Sequence, residues 1–316
     1  MSISATPYYF DAAEIRASLP MCVCIDLMRP AMIALASGEA KWLIRSFIPM
    51  GEARTFAQMP GALSARGYFG AKLISVFADP DHPGHRAHEG IVVLFEGERG
   101  KLVATADAGE ITRIRTAAAS AAATDALARE DASTLAIIGA GAQALAHIEA
   151  IRCVRPIKDV RLYARNQTHG RDAAEQSGAR FVQTIEAACA GADIICTTTG
   201  APDPILHLRH VSPGAHINAI GSSTPASAEI ANDLVAASRF IADHRAHVLV
   251  HGGEFLRAKA AGLVSDDHIV AEIGEVFADA NLGRERGDQI TLYKSLGHAV
   301  QDLAALAFLY DARVKE

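Results

Sequence analysis

The apolar positions change period repeatedly over the first 130 residues. "FDAAEIRASL" opens as a helix, with Asp11 placed to cap it and Glu14 three residues on, at capping-box spacing. A second helical stretch follows in "CIDLMRPAMIALASGEA", where Pro30 is set to bend or interrupt it. From Lys41 to about Thr105 the pattern turns to strands: "KWLIRSFIP", "ARTFAQMPG", "YFGAKLISVFA" and "GIVVLFEGERGKLVATAD", the last folded back at "EGERG". Asp107 and Glu110 mark another helix start, and "EITRIRTAAASAAATDALARE" is alanine-rich and strongly helical.

After "REDAS", strand and helix alternate: "TLAIIG", "AQALAHIEAIRC", "DVRLYA", "GRDAAEQSG", "ARFVQ", "TIEAACAG", "ADIICTTT", "AHINAIG". Such alternation builds βαβ units on a parallel sheet. "LYKSLGHAVQDLAALAFLYDA" reads as one long amphipathic helix. The predicted fold class is therefore α/β: a Rossmann doubly wound parallel sheet over 131–291, preceded by a mixed α/β domain over 1–130 that the last helix, 292–316, returns to complete.

Composition narrows the function classes. Half of the 316 residues are hydrophobic, enough for a sizeable core. A net charge of −6, with Lys and Arg scattered, argues against nucleic acid, which calls for a concentrated basic patch. The five cysteines form no even framework, and the Cys22–Cys24 pair lacks a second pair for zinc, so reduced thiols of a cytoplasmic protein are expected. The N-terminal stretch does not read as a signal peptide, and no apolar run approaches the roughly 20 residues that span a bilayer.

The strand "TLAIIG" runs into Gly139, Gly141 and Ala144, spaced G-x-G-x-x-A, and then into a helix. The first glycine allows a tight turn, the second lets a pyrophosphate approach the backbone, and Ala144 is small enough for helix–strand packing. Amides of Ala142 and Gln143 at the helix N-terminus suit phosphate. This context of strand, loop, helix and second strand predicts a dinucleotide site. At the end of the second strand stand Ala164, Arg165 and Asn166, with no acid to take a ribose 2′-hydroxyl. Arg165 can pair with a 2′-phosphate, which favours NADP(H) over NAD(H), although an arginine merely exposed at a strand end fits too. "CTTTG", with Thr197 and Thr198, and the strand end at Ile220 and Gly221 are expected to line the same crevice.

Three cations fall on apolar faces. Strand alternation puts Arg45 with Leu43 and Phe47, and Lys72 with Ile74 and Val76; helical spacing puts Arg115 one turn after Ile111, among alanines. A buried charge needs an anion. Internal ion pairs or snorkelling to the surface satisfy that for any one of them. Together they predict a pocket for a carboxylate, facing the nicotinamide across a domain cleft, with Arg as a two-pronged clamp and Lys as a point charge. The run "DHPGHRAHEG" (His82, His85, His88) has no firm metal-ligand spacing, and Pro83 and Gly84 forbid a regular helix, so no metal is expected. His88, just before a strand, is kept as a polar group on the substrate side. Met59 and Cys196 are assigned to packing.

"GAKLISVFADP", "AHEGIVVLFE", "ITRIRTAAASAAAT", "IIGAGAQALAHIEA", "AHINAIGSSTP" and "LYKSLGHAVQDLAA" together resemble the ornithine cyclodeaminase/mu-crystallin family, over most of the chain. The resemblance implies a homodimer whose first domain binds substrate and dimerises, followed by a Rossmann domain. It also places the carboxylate-binding positions on Arg45, Lys72 and Arg115. Where cyclodeaminases carry an Asp that assists amine chemistry, this chain has Ser223, as the ketimine-reductase branch has a small hydroxyl residue. An imine reductase needs only a hydride on carbon and a proton on nitrogen, and a cyclic ketimine can arrive protonated. The resemblance thus implies an NAD(P)H-dependent reductase of a small carboxylate-bearing imine such as pyrroline-2-carboxylate, piperideine-2-carboxylate or a linear α-imino acid. Arg45, Lys72, Arg115, His88 and Ser223 would meet the substrate, Lys72 and Arg115 catalytically. The alternatives are a cyclodeaminase-type lyase, an amino-acid dehydrogenase, or a non-catalytic binder of NADPH and a small ligand.

Overall fold

The computed structural model describes residues 6–51, 54–78 and 86–315, and only the backbone at 78 and 86–88. It divides into two compact units, Met1–Arg115 with His298–Glu316, and Thr116–Gly297.

The chain begins β1 (Tyr8–Phe10), α1 (Ala12–Ser18), α2 (Met21–Ala36), β2 (Lys41–Trp42) and β3 (Ser46–Pro49). Then come β4 (Thr55–Leu63), β5 (Tyr68–Ala78), β6 (Arg86–Glu96), β7 (Leu102–Asp107) and α3 (Ala108–Leu127). Asp11 caps α1 by accepting from the Glu14 amide at 2.8 Å, and Asp107 does the same for Glu110 at 2.7 Å. The side chain of Glu96 accepts from the amides of Glu98, Arg99 and Lys101, which closes the "EGERG" turn.

The second unit runs β8 (Thr134–Ile138), α4 (Ala142–Val154), β9 (Asp159–Tyr163), α5 (Gln167–Ser177), β10 (Arg180–Phe181) and α6 (Ile185–Cys189). Next are β11 (Ile194–Thr197), β12 (His216–Ala219), α7 (Asn232–Ala237), β13 (Arg239–Ala242), α8 (Arg245–His251) and α9 (Gly253–Ala260). It closes with β14 (Ile269–Glu272), α10 (Ile273–Ala278) and β15 (Thr291–Lys294), and α11 (Ala299–Lys315) then belongs to the first unit.

In the first unit the sheet order is β1-β7-β6-β5-β4-β2, with β3 also on β4. β1 is parallel to β7 and every other pair is antiparallel. Period-2 alternation buries Ala57, Met59, Val92, Leu94, Ala104 and Ala106, and with them Lys72, which pairs across to Met59 and Val92. α11 packs on α2 and across β4 to β7. It is buried all round from Ala299 to Ala307, because its only polar residues there, Gln301 and Asp302, are themselves fully covered.

In the second unit eight strands, all parallel, run β10-β9-β8-β11-β12-β15-β13-β14. The first five have the order 3-2-1-4-5 of a doubly wound sheet, so the chain reverses direction between β8 and β11, where such sheets bind ligands. Ile138, Ile195, Ile217, Leu234, Phe240 and Phe255 are core residues of this unit.

Four expectations change. "LYKSLGHAVQ" is not the start of a helix: Thr291–Lys294 forms β15 between β12 and β13, and the helix begins at Ala299. The unit boundaries accordingly fall at 115/116 and 297/298, whereas the alternation placed them at 131 and 292. "KWLIRSFIP" breaks into β2 and β3, so Arg45 is buried in the connection while Leu43 and Phe47 are exposed, and the alternation argument fails there. α2 continues through Pro30. Among the described residues no single helix is long and apolar enough to cross a membrane.

Candidate active site

In the first unit Lys72 and Arg115 meet one carboxylate. Arg115 donates through Nε to Asp302 at 2.9 Å and through Nη1 to Gln301 at 2.7 Å. Lys72 Nζ lies 3.4 Å from Asp302 and donates to Thr112 Oγ1 at 3.3 Å. The internal ion pair that the sequence left open is therefore present, and its acid, Asp302, escaped the sequence reading. A charged residue in an otherwise apolar helix stretch was the signal that could have found it. Two cations still share one carboxylate, and Nη2 of Arg115 takes no protein partner among the described residues.

Burial is the main cause that brings the Lys72 ammonium from 10.5 down to about 7; Asp302 opposes the fall, while Arg115 and Arg45 add to it. Arg45, buried in the same unit, thus acts on Lys72 through its charge. His82 and His85 lie outside the described residues, as does the side chain of His88.

In the second unit Gly139 turns the chain out of β8 at φ +132, and a Cβ there would lie 2.4 Å from Thr198 Oγ1. Gly141 is the N-cap of α4, and no side chain caps that helix. A Cβ on Gly141 would meet nothing within 4 Å, and Gly141 and Ala142 are exposed, so the start of α4 is open, whereas the Ala144 amide is already bonded to the Gly141 carbonyl at 2.9 Å. A bare helix N-terminus beneath open space fits a pyrophosphate. Arg165 is exposed beyond the end of β9, with no protein partner among the described residues, and Asn166 caps α5 by accepting from the amides of Thr168 and His169 at 3.0 and 3.2 Å.

Across the switch point, Thr197 is fully buried and its hydroxyl donates to Glu229 at 2.8 Å, so it serves the loop framework. Thr198 is half-buried and donates to the Ile138 carbonyl at 3.3 Å. Ile220 is half-buried, Gly221 is exposed, and the Ser223 hydroxyl makes no hydrogen bond among the described residues. Buried Lys294 holds this turn from within: it donates to the Ser222 carbonyl at 2.7 Å and pairs with Glu254 at 3.0 Å. Neither Glu229 nor Lys294 was expected from the sequence; both are charges inside strand or loop segments with apolar flanks.

The model of one protein family, ornithine cyclodeaminase/mu-crystallin, matches residues 9–316. The chain belongs to the ornithine cyclodeaminase/mu-crystallin family. Among its relatives in that family is mouse ketimine reductase mu-crystallin, 33% identical over 97% of both chains. Another is a Delta(1)-pyrroline-2-carboxylate reductase of Bacillus cereus, 32% identical over 86% of both. The Thermococcus litoralis Delta(1)-pyrroline-2-carboxylate reductase, solved with NADH and L-proline, superposes with a TM-score of 0.92 at 26% identity, covering 98% of each chain. The family membership fits what each unit holds by itself, a buried pair of cations in one and a glycine-rich strand–loop–helix in the other.

Proposed function

We propose that this protein is an oxidoreductase that reduces a small α-imino acid, cyclic or linear, to the amino acid with a nicotinamide dinucleotide. The observation that carries the reading is the buried pair Lys72 and Arg115, two cations that share the single carboxylate of Asp302, with Arg45 buried in the same unit. A substrate carboxylate completes the balance, taking Nη2 of Arg115 and the Lys72 ammonium, and that contact fixes the orientation of the C=N bond. The reductases among its relatives support the same chemistry.

When bound, the dinucleotide supplies the hydride to the imine carbon. The π pair then moves to nitrogen, and Nζ–H of Lys72 delivers the proton to a neutral imine, leaving the amine neutral until solvent recharges it. Ser223 orients water or substrate with its hydroxyl and supplies no base. Gly139, Gly141, Ala142 and Gln143 receive the pyrophosphate, buried Ala144 lets the helix pack close behind them, and Thr198, Ile220 and Gly221 line the nicotinamide end. Arg165 selects NADPH over NADH by pairing with the 2′-phosphate.

The test is direct: NADPH consumption on adding pyrroline-2-carboxylate or piperideine-2-carboxylate, read by absorbance, with an ammonia assay on ornithine and lysine run beside it. Reduction of at least one imine without ammonia release is expected. Ammonia release from ornithine, or an unchanged absorbance across a panel of cyclic and linear imino acids, removes the reading.

A further inference from the structure

We propose that Glu229 is the positioning residue of the dinucleotide site, a single buried carboxylate that staples the loop after β11 to the turn after β12. The inference rests on the reading that this end of the parallel sheet takes the dinucleotide. Glu229 is 0% exposed, yet its two oxygens accept four hydrogen bonds from both strand ends. Oε1 takes the Thr199 amide and the Thr199 hydroxyl, both at 2.7 Å. Oε2 takes the Thr197 hydroxyl at 2.8 Å and the Gly221 amide at 2.7 Å.

The two loops so joined are in backbone contact. A Cβ on Gly221 would lie 2.0 Å from the Thr199 carbonyl oxygen and 2.5 Å from Glu229 Oε1, so only glycine fits the joint. A second tie closes behind it. Glu254 accepts from the Glu229 amide at 3.1 Å and pairs with Lys294 at 3.0 Å, and Lys294 reaches the Ser222 carbonyl at 2.7 Å. The chain Thr199–Glu229–Glu254–Lys294–Ser222 thus fixes residues 197–199 and 220–223 from beneath. Exposed Gly221 and the unbonded Ser223 hydroxyl are left on the outer side.

With no solvent-exposed atom, Glu229 acts on a ligand only through the groups it holds. Charge-assisted bonds aimed at two backbone amides pre-set loop positions that a flexible turn would otherwise have to adopt on binding. Burial raises the Glu229 pKa, and Lys294 with the surrounding donors opposes that rise.

The experiment is Glu229→Gln. It keeps the shape but replaces one acceptor oxygen by an NH2 facing N–H and O–H donors. Fluorescence titration reads the affinity for reduced dinucleotide, and calorimetry reads pyrrole-2-carboxylate, which carries a carboxylate but no reducible C=N. Expected are a loss of dinucleotide affinity of about 10- to 100-fold with a matching rise in its KM, unchanged pyrrole-2-carboxylate binding, and partial recovery in Glu229→Asp. Unchanged dinucleotide affinity in the folded variant overturns the proposal. So does parallel loss of both ligands with a lowered Tm in both variants, since that marks a purely structural role. A wild-type protein that binds no dinucleotide also overturns it, and is told apart as failure of the underlying site.

Discussion

Lys72 carries the sharpest chemistry in the molecule because its surroundings oppose its charge. Burial and two arginines pull its ammonium from 10.5 to about 7, against the single help of Asp302. In the proposed mechanism the proton donor is the charged form, so kcat/KM should fall as pH rises through about 7, tenfold per unit, and a pH–rate profile of the wild type reads this. Stability moves the other way. Between about 7 and 10.5 the unfolded chain holds the Lys72 proton and the folded one does not, so stability from this residue rises with pH over that window. Lys72→Met abolishes that dependence in denaturant titrations at several pH values and lowers kcat by about 100-fold or more. Arg115→Ala raises the KM for the imine while dinucleotide affinity stays as it was, because its bonds all lie within the carboxylate cluster. The sequence showed Lys72 and Arg115 as charges on apolar faces. Asp302 was hidden because a lone acid in a helix reads as a solvated residue until the sheet and α2 close over it.

At the scale of elements, the proposed preference for NADPH rests on the β9–α5 junction. Arg165 is exposed at the strand end without a protein partner among the described residues, while Asn166 is committed to capping α5. Arg165→Ala should therefore lower kcat/KM for NADPH by about tenfold and leave that for NADH unchanged, since one charge-assisted phosphate contact is worth roughly that much. Equal losses with both cofactors would place the arginine away from the 2′-phosphate. The β8–α4 loop and the βα alternation after it were legible from sequence because each buried strand there is a short apolar run next to a glycine or a cap. β15 was not. "TLYK" carries a lysine and runs into an apolar helix, so its pattern merges with that helix, and only pairing with β12 and β13 reveals the strand. β1, three residues long with two of them exposed, gives no alternation to read. The break between β2 and β3 is likewise invisible to a period-2 argument, which spoiled the reasoning for Arg45 although its burial stands.

At the scale of the whole molecule, one sheet face of the first unit has no covering helix among the described residues. α11 and α2 take the side of Lys72, Val92 and Leu94, whereas Phe69 and Ile91 on the other side are exposed and Phe69 stacks on Phe95 at 5.2 Å. Exposed Ile48 on β3, paired with Phe56 and through it with Ser75, lies on the same side as Phe69. Exposed apolar side chains on one sheet face of a chain of net charge −6 point to association. The partner proposed is a second copy, because a two-fold interface brings identical faces together and needs no other protein. Light scattering should give a mass near twice 33.3 kDa. Phe69→Arg together with Ile91→Arg should return the protein to the monomer mass, since each copy would bring two unpaired charges to a face meant to be dry. The affinity of Lys72 and Arg115 for a carboxylate ligand should survive in that variant, because both side chains lie on the opposite side of the sheet, under α11. A monomeric wild type, or a double variant that remains dimeric, would assign this face to something other than self-association.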